Sequence, residues 1–217
     1  MSDFITPFSP EYTILVPEDP LTLLLLGVWF LGVLIGLILF RDRQTSFDRQ
    51  KLSWFAVLSA LVLLLTPFLG VLVFPNLGGE TLNPPVRYLM FFAAVPWMVA
   101  ATILGTLPAG LIAGISGLLL AYLDTHQIGT PLLFMTVSLI FSLRMRASQL
   151  DDAARILQLP LASGIFTWLL STPIVFLSLM LSEAGPVGLR FAAASTSFLA
   201  VFLTLGGMIL IGGLAAT

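Results

Sequence analysis

The sequence predicts an all-α fold, a polytopic membrane helix bundle of about seven transmembrane helices. Of the 217 residues, 58% are hydrophobic and only 9% are charged, whereas an ordinary soluble domain carries about 25% charged residues. Such a chain cannot cover itself with a polar surface. Apolar stretches of roughly 20 residues also recur along it, and this is the length that a helix needs to cross a bilayer.

The candidate spans follow one another along most of the chain, and we number them as predicted spans 1 to 7. Span 1 is uncharged and stops at Arg41, and span 2 follows the charged stretch 41–51. Gly105 alone separates span 3 from span 4, which predicts a tight turn. Span 5 is the shortest and could also be re-entrant or half-spanning. The predicted spans cover residues 20–40, 52–74, 86–104, 106–123, 128–143, 161–181 and 187–214.

The segments around the spans complete the predicted organisation. Residues 1–19 carry acidic side chains and no basic one, so they do not resemble a cleaved signal peptide, and we expect an extracellular lead-in. Residues 20–51 then form the first transmembrane helix and a cytoplasmic loop, and residues 52–217 form a six-helix membrane core. Residues 75–85, rich in Pro, Gly and Asn, predict a turning loop. A capping-box pattern at 148–151 predicts a short interfacial helix that ends before Pro160.

The basic residues predict the orientation, because cytoplasmic loops attract Lys and Arg. With the N-terminus outside, the crossings leave only Arg87 and Arg190 outside. If span 5 did not cross, this bias would disappear. We therefore predict an inner-membrane, multi-pass protein with its C-terminus in the cytoplasm. Seven of the nine basic residues then lie inside: Arg41, Arg43, Arg49, Lys51, Arg144, Arg146 and Arg155.

Small residues recur at helical spacing and predict close helix contacts. Membrane helices pack through such residues because lipid gives apolar helices little reason to associate. Gly32 and Gly36 form a GxxxG pattern in span 1, and Gly110, Gly114 and Gly117 form a longer series in span 4. Packing within the chain is one interpretation. The alternative is that the Gly32 and Gly36 face recruits a second copy, giving a homodimer, or another membrane partner.

Several chemistries are excluded by residue type. The chain has no cysteine and one histidine, so we expect no metal site and no cofactor. The net charge of −2 does not suggest nucleic acid. The helix centres hold no paired carboxylates, no nucleophile with a usable base and no phosphate-binding loop, so we expect no enzyme. The absence of intramembrane charge also argues against a proton-driven transporter working alone.

The remaining polar residues gather near the predicted outer face and are the candidate ligand-binding residues. They are Arg87, Trp97, Tyr122, Asp124 and His126, and the aromatic pair could line the mouth of a cavity between helices. A small molecule is the partner that such a site implies. The alternative is ordinary anchoring at the membrane interface by aromatic and solvated polar side chains. His126 is the only histidine and therefore the candidate residue for pH sensing.

The stretch LGTLPAGLIAGISGLLL at 104–120 resembles a glycine-rich helical turn found in two groups of membrane proteins. One is the membrane input domain of bacterial sensor histidine kinases, including LytS-like multi-helix receptors. The other is the substrate-binding S component of energy-coupling-factor transporters. Residues 124–131, with the basic residues Arg144 and Arg146 after span 5, are similar to input domains from Chloroflexi.

The resemblance implies a six-helix core of about residues 50–215 with one helix added in front. It favours a sensory or ligand-recognition module of a signalling protein, which relays an outer-face or bilayer signal through the last helix into cytoplasmic domains. One alternative is an S component that passes a vitamin-like substrate to an ATP-driven partner. Another is a structural subunit of a membrane complex. The resemblance assigns no catalytic residue to this sequence.

Overall fold

The computed structural model describes residues 17, 19–40, 49–65, 71–75, 86–147, 159–182 and 186–217. Helices dominate these residues. A short 3-10 turn, Phe91–Ala94, precedes α3, and a π-helical turn, Ala121–Thr125, follows α4. The elements are α1 (Pro20–Leu39), α2 (Arg49–Leu64), β1 (Val71–Pro75), β2 (Val86–Met90), α3 (Val95–Ile103), α4 (Thr106–Leu120), α5 (Gly129–Ala147), α6 (Pro160–Leu170), α7 (Thr172–Ser182) and α8 (Val187–Ala216).

Three helical segments of the described chain are long and apolar enough to cross a membrane. They are α1, α4 with its π-helical turn, and α8; α6 and α7, which meet at a 50° bend, make a fourth if they count as one span. The bundle therefore has the predicted helical and apolar character. The figure of seven crossings remains a prediction.

Two predicted spans are shorter as helices than expected. Span 2 does not continue as helix to residue 74: α2 ends at Leu64, and residues 71–75 instead pair antiparallel with residues 86–90. Span 3 likewise becomes helical only after β2 and the 3-10 turn. Both short runs are rich in β-branched and aromatic residues, which favour strands. A short apolar run cannot be assigned to strand or helix from its hydrophobicity alone.

The local sequence explains where the first and fourth helices begin. The Asp19 side chain caps α1 by accepting from the Leu21 N–H, and Pro20 occupies the first turn, where a missing N–H costs nothing. Between α3 and α4, Gly105 has a φ of 94°, a conformation that side chains with a Cβ rarely adopt. The predicted tight turn at Gly105 is thereby confirmed.

The described part of the bundle has an apolar surface and no charged residue in its buried set. Along α1, six side chains are more than half exposed: Leu21, Leu24, Val28, Leu31, Ile35 and Leu39. Among the described residues, the buried set contains hydroxyls but no Asp, Glu, Lys or Arg. Soluble monomers rarely expose apolar patches of this extent, so such a surface suits lipid better than water.

Contacts between helices define two ends of the bundle. Asp19 and Arg190 form an ion pair, which joins the starts of α1 and α8. Gly129 packs against Ser178 and Ser182, so α5 starts where α7 finishes. Leu26, Leu132 and Leu181 cluster, which places all four of these helix ends together. We call this the Asp19 end.

The other end holds the finish of α5 with its two arginines, Arg144 and Arg146, and we call it the Arg144 end. Gly213 of α8 packs against Leu161 at the start of α6. Leu37 of α1 packs against Gly110 near the start of α4. Helices α1, α5 and α8 therefore run in one direction, whereas α4 and the α6–α7 pair run in the other.

Candidate functional site

The glycines predicted to pack helices differ in what surrounds them. A Cβ on Gly117 would lie 2.7 Å from the Pro131 Cα of α5, so these two backbones are in direct contact. Around Gly114 the neighbour is the Met135 side chain, and around Gly110 and Gly36 it is a leucine side chain, Leu37 or Leu139. Nothing lies within 4 Å of the corresponding position at Gly32. The α4 glycines thus join α4 to α5 and α1.

Three of the predicted ligand-binding residues share the π-helical turn at the Asp19 end. Tyr122 and Asp124 lie within the turn and His126 directly follows it, and all three are half-buried. His126 has a φ of 53°, and its N–H donates to the Ala121 carbonyl at 2.8 Å. Single π-helical turns inside α-helices are frequent at functional sites, so this turn is one candidate site.

A hydroxyl pair fixes the π-helical turn to the next helix. The Thr125 and Thr130 hydroxyl oxygens are 2.6 Å apart, and Thr130 is buried at the start of α5. The Thr130 N–H also donates to the Gln127 carbonyl at 3.2 Å. These bonds tie the loop between α4 and α5, which carries Asp124 and His126, to the start of α5.

The other two predicted ligand-binding residues are not part of this turn. Trp97 is fully buried on α3, and its ring meets the Phe141 ring edge-on at 6.0 Å between centroids. Phe141 is twelve residues beyond Gly129, about 18 Å along α5 at 1.5 Å per residue. Arg87 pairs with Phe74 in the hairpin, and its side chain lies outside the described part of the structure. The structure therefore brings Tyr122, Asp124 and His126 together but not Trp97.

Buried hydroxyls form a second polar group, which the sequence reasoning missed. Some are paired: the Ser116 hydroxyl donates to the Ala93 carbonyl at 2.6 Å, and that of Thr167 to the Ser163 carbonyl at 2.8 Å. The sequence signal is the spacing of four between Ser138 and Ser142 and again between Ser163 and Thr167, which puts each pair on one helix face. The buried polar atoms without a hydrogen-bond partner include Ser59 Oγ, Trp97 Nε1, Thr106 Oγ1, Ser138 Oγ, Ser142 Oγ and Ser163 Oγ, which are spread over five helices.

A polar clasp joins α1 to α8 at the Asp19 end. The Thr22 hydroxyl donates to Asp19 Oδ2 at 2.8 Å, and Arg190 donates to the Thr22 hydroxyl at 2.6 Å and to Asp19 Oδ2 at 3.3 Å. The hydrogen bond from Thr22, assisted by those of the Leu21 N–H and Arg190, holds the pKa of Asp19 below its ordinary value. The sequence predicted both charged residues on the same side, and the structure pairs them.

Helix α8 is also joined to the bend between α6 and α7. Trp168, which lies one turn before the bend, donates its indole N–H to the Phe202 carbonyl of α8 at 2.8 Å, and its ring stacks on the Phe202 ring at 4.8 Å. Gly206 lies directly against the Trp168 ring, so the absence of a side chain there permits the approach. At the bend itself, the buried Ser171 donates its hydroxyl to the Trp168 carbonyl at 2.6 Å.

No group of three or more His, Cys, Asp or Glu side chains in the described ranges could hold a metal ion.

Comparisons with known proteins identify no family for this chain. No protein-family model matches the chain, and no curated protein or solved structure is significantly similar to it.

Proposed function

We propose that this chain is a membrane-embedded sensory or ligand-recognition module that relays a signal through α8. In this proposal it lies in the cell's inner membrane with its N-terminus outside and its C-terminus in the cytoplasm. The Asp19 end then faces outward, and the arginines of the Arg144 end face inward, as the positive-inside rule requires. The exposed apolar side chains of α1 and α8 would contact lipid.

Seven crossings are compatible with the alternating helix directions. Helix α5, with 19 residues, is about 28 Å long, close to the thickness of the hydrocarbon core, about 30 Å. Helices α6 and α7 would make one bent crossing, and β2 with α3 would make one that is only partly α-helical. Irregular segments are tolerated at membrane depth where they are surrounded by protein and their backbone groups are hydrogen-bonded. Helix α3 meets the first condition in part, because Trp97 and Met98 are fully buried.

One observation carries the proposal of a relay: α8 contacts both ends of the bundle. Its 30 residues extend for about 45 Å. At the Asp19 end it holds α1 through Arg190, and near the Arg144 end Gly212 and Gly213 pack against Met98 and Leu161. A rigid helix with contacts at both ends can carry a displacement from one to the other.

The signal would be a shift between two packings of the bundle. A ligand, or a change in the bilayer, moves such an equilibrium only by interacting differently with the two states. The π-helical turn with Asp124 and His126 faces the outer side in this proposal, and the bend between α6 and α7 gives the bundle a joint beside α8. Rotation or translation of α8 is then the output.

The test is a fusion of α8 to the dimerisation helix and kinase domain of a sensor histidine kinase. Insertion of one to four alanines after Thr217 turns the kinase about the helix axis by about 100° per residue. If α8 transmits the signal, autophosphorylation in proteoliposomes should rise and fall with insertion number with a period near 3.6 residues. Flexible Gly-Ser insertions of equal length are the matched control and should abolish this dependence. Phosphorylation that does not vary with alanine number would contradict the relay.

The bent α6–α7 pair favours a second candidate, a transport subunit that captures a substrate for an ATP-driven partner. Interrupted helices recur at the substrate sites of transporters, and this pair bends by 50°. Copurification of the tagged full chain with a membrane-bound ATPase pair from its own host would favour this candidate. A kinase output that follows the alanine series would favour the sensor.

A further inference from the structure

We propose that a groove between α1 and α2 binds one anionic phospholipid, with its phosphate at the Arg144 end and an acyl chain lying along α4. Three apolar side chains of α4 form the floor of this groove: Leu111, Ile115 and Leu118. We call it the α1–α2 groove. The proposal adds a lipid site to the proposed function, and of that function it needs only the membrane location, not the relay.

Four helices surround α4 and leave one side of it open. Each of α2, α3, α5 and α1 packs on α4, and in that order each also packs on the next, whereas no comparable packing joins α1 to α2 among the described residues. The open side of α4 therefore lies between α1 and α2. Leu111 and Leu118 mark this side, because they are 43% and 51% exposed, and the half-buried Ile115 lies between them. Residues at this spacing share one helix face, so they form a continuous apolar strip.

Helix α1 supplies one wall of the groove. Its Gly36 faces α5, where Leu139 lies beside it, and its Leu37 faces α4, where it packs on Gly110. Leu34 lies three residues before Leu37, which places it about 60° further round the helix, away from α5. This is the side on which α4 is open. Leu34 is half-buried, so an apolar side chain lines this wall.

Helix α2 supplies the other wall and begins at the Arg144 end. It is followed by β1, where Val71 pairs with Met90. Met90 directly precedes the 3-10 turn, in which the Ala93 carbonyl accepts from the Ser116 hydroxyl in the second half of α4. Helix α2 therefore finishes away from the Arg144 end, where α4 starts. Its own start lies with the finish of α1, from which only residues 40–48 separate it.

The start of α2 places cationic side chains at the mouth of the groove. Lys51 lies seven and eleven residues before the buried Leu58 and Val62, so it shares the face of α2 that packs on the bundle. Lys51 is accordingly half-buried, and Arg49, the first residue of α2, is exposed. A phosphate at this mouth would meet an ammonium and a guanidinium, the two groups that commonly bind phosphate in proteins.

An exposed tryptophan marks the headgroup level at the same place. Trp54 lies one turn after Lys51 and is 43% exposed, and tryptophan is enriched where a membrane meets water. The length of the floor agrees with this level. From its first residue to Leu118, α4 extends for about 18 Å, close to one leaflet of the hydrocarbon core, roughly 15 Å. An acyl chain whose phosphate lies beside Lys51 would therefore reach along the whole floor.

Charge complementarity selects an anionic lipid. Arg49 and Lys51 belong to the stretch 41–51, which carries four basic and two acidic side chains and thus a net charge of 4 − 2 = +2. Each basic residue beside a membrane helix favours an anionic headgroup by about fivefold. A zwitterionic headgroup has no net charge and gains less from the same side chains. Phosphatidylglycerol has the required chemistry, and phosphatidylcholine is its neutral counterpart.

The test places a fluorophore in the groove and a quencher on the lipid. Because the chain has no cysteine, bimane attaches to a Leu111→Cys variant at that position alone. The full chain is reconstituted in phosphatidylcholine nanodiscs with rising fractions of phosphatidylglycerol or phosphatidylcholine that carry a nitroxide on one acyl chain. Half-maximal quenching should require at least about fivefold less labelled phosphatidylglycerol than labelled phosphatidylcholine.

The matched control position is Ile35 on the outer face of α1, labelled as Ile35→Cys. Ile35 is 54% exposed, and it lies at the depth of Leu111 because Leu37 packs on Gly110. Both labelled lipids should quench it equally. A preference for phosphatidylglycerol at both positions would indicate a general attraction to the protein surface and would contradict the groove. Equal quenching by the two lipids at Leu111→Cys would contradict it too, as would quenching at Ile35→Cys alone, the result expected if a second copy filled the groove.

Charge variants test the headgroup contact. Arg49→Gln combined with Lys51→Gln should remove the preference at Leu111→Cys, whereas Lys51→Arg should keep it. Arg144→Gln is the matched control, because Arg144 belongs to the same end but lies over the Phe166 ring of α6, and it should leave the preference unchanged. The proposal fails if the double variant keeps the preference or if Arg144→Gln removes it. Should a charge variant not fold, the comparison of Leu111→Cys with Ile35→Cys still decides the outcome.

The two proposals fail separately. Kinase output that ignores the alanine series while phosphatidylglycerol still prefers Leu111→Cys would remove the relay and leave the lipid site. Output that follows the alanine series while both lipids quench Leu111→Cys equally would remove the lipid site and leave the relay.

Discussion

Helices α4 and α1 carry the same small-residue motif in opposite surroundings. In α4, Gly110, Gly114 and Gly117 all lie against a neighbouring helix, and at Gly117 the neighbour is backbone. In α1, Gly36 lies against Leu139, whereas Gly27 and Gly32 have open space around them. Helix α4 is therefore a central element of the bundle, and α1 is attached along one narrow face.

This contrast shows what a GxxxG pattern does and does not encode. The spacing creates a shallow groove on any helix, but the depth to which a neighbour enters depends on what the rest of the chain supplies. Helix α4 has α5 as its antiparallel hairpin partner, held by a short turn. Helix α1 meets α5 through single side chains, such as Trp29, whose indole N–H donates to the Thr136 hydroxyl at 3.0 Å.

The largest expected effect is at Gly117. Gly117→Ala would place a methyl group against the Pro131 backbone, which cannot move without separating α4 from α5, so we expect a loss of about 1–3 kcal/mol in the free energy of unfolding. Gly32→Ala is the matched control and should be neutral or gain up to about 1 kcal/mol from helix propensity. Reversible unfolding in mixed micelles measures both. Equal losses at the two positions would contradict the contrast between α4 and α1.

The next effect concerns the attachment of α1 to α5. Trp29→Phe keeps most of the ring but removes the donor to Thr136, and should cost about 0.5–1.5 kcal/mol. Thr136→Val removes the acceptor, and because the two changes delete the same bond, the double variant should cost less than the sum of the single ones. A strictly additive double variant would show that this bond does not hold α1 in place.

Gly36→Ala should have a smaller effect. The added methyl would lie 2.8 Å from Leu139 Cδ2, the far end of a flexible side chain that can rotate away. We expect a loss below about 1 kcal/mol, because the strain is partly offset by the better helix propensity of alanine. The same micelle unfolding assay ranks it between Gly117→Ala and Gly32→Ala. A loss as large as that of Gly117→Ala would mean that α1 is packed as rigidly as α4.

The smallest effect is at the clasp between α1 and α8. Because the pKa of Asp19 is lower in the folded state, the clasp contributes fully above the ordinary aspartate pKa, about 4, and is lost as the pH falls through the lower folded-state value. The chain has no cysteine, so a Leu21→Cys, Leu189→Cys variant would carry spin labels at these two positions and at no other. Their distance distribution should broaden at low pH, and Asp19→Asn should broaden it at neutral pH. An unchanged width in both experiments would show that the clasp does not hold α1.

The sequence predicted the helical, apolar character of the bundle and the Gly105 turn because these depend on local composition. Runs of about 20 apolar residues leave few alternatives to a membrane helix, and a single glycine between two such runs leaves few alternatives to a tight turn. The hairpin of β1 and β2 was not predicted, since Val71–Pro75 is as apolar as the helix before it. Its pairing with Val86–Met90 depends on a partner eleven or more residues away, which composition does not reveal.

The candidate site was predictable only in part, for a similar reason. Tyr122, Asp124 and His126 are neighbours in sequence, so their proximity follows from the chain itself. Trp97 was grouped with these three residues because it also lies near a predicted outer loop. Its burial against Phe141, however, is set by how α3 packs on α5. The buried hydroxyls were missed because serine is common in membrane helices, and only the packing separates paired from unpaired hydroxyls.

The length of α8 has one further consequence. An apolar helix of 30 residues is half again as long as the hydrocarbon layer is thick, so in a bilayer it must lean, or one end must emerge among the headgroups. Thicker membranes would favour an upright α8, and thinner ones a tilted α8. The tilt of α8 would therefore depend on the chain length of the surrounding lipid.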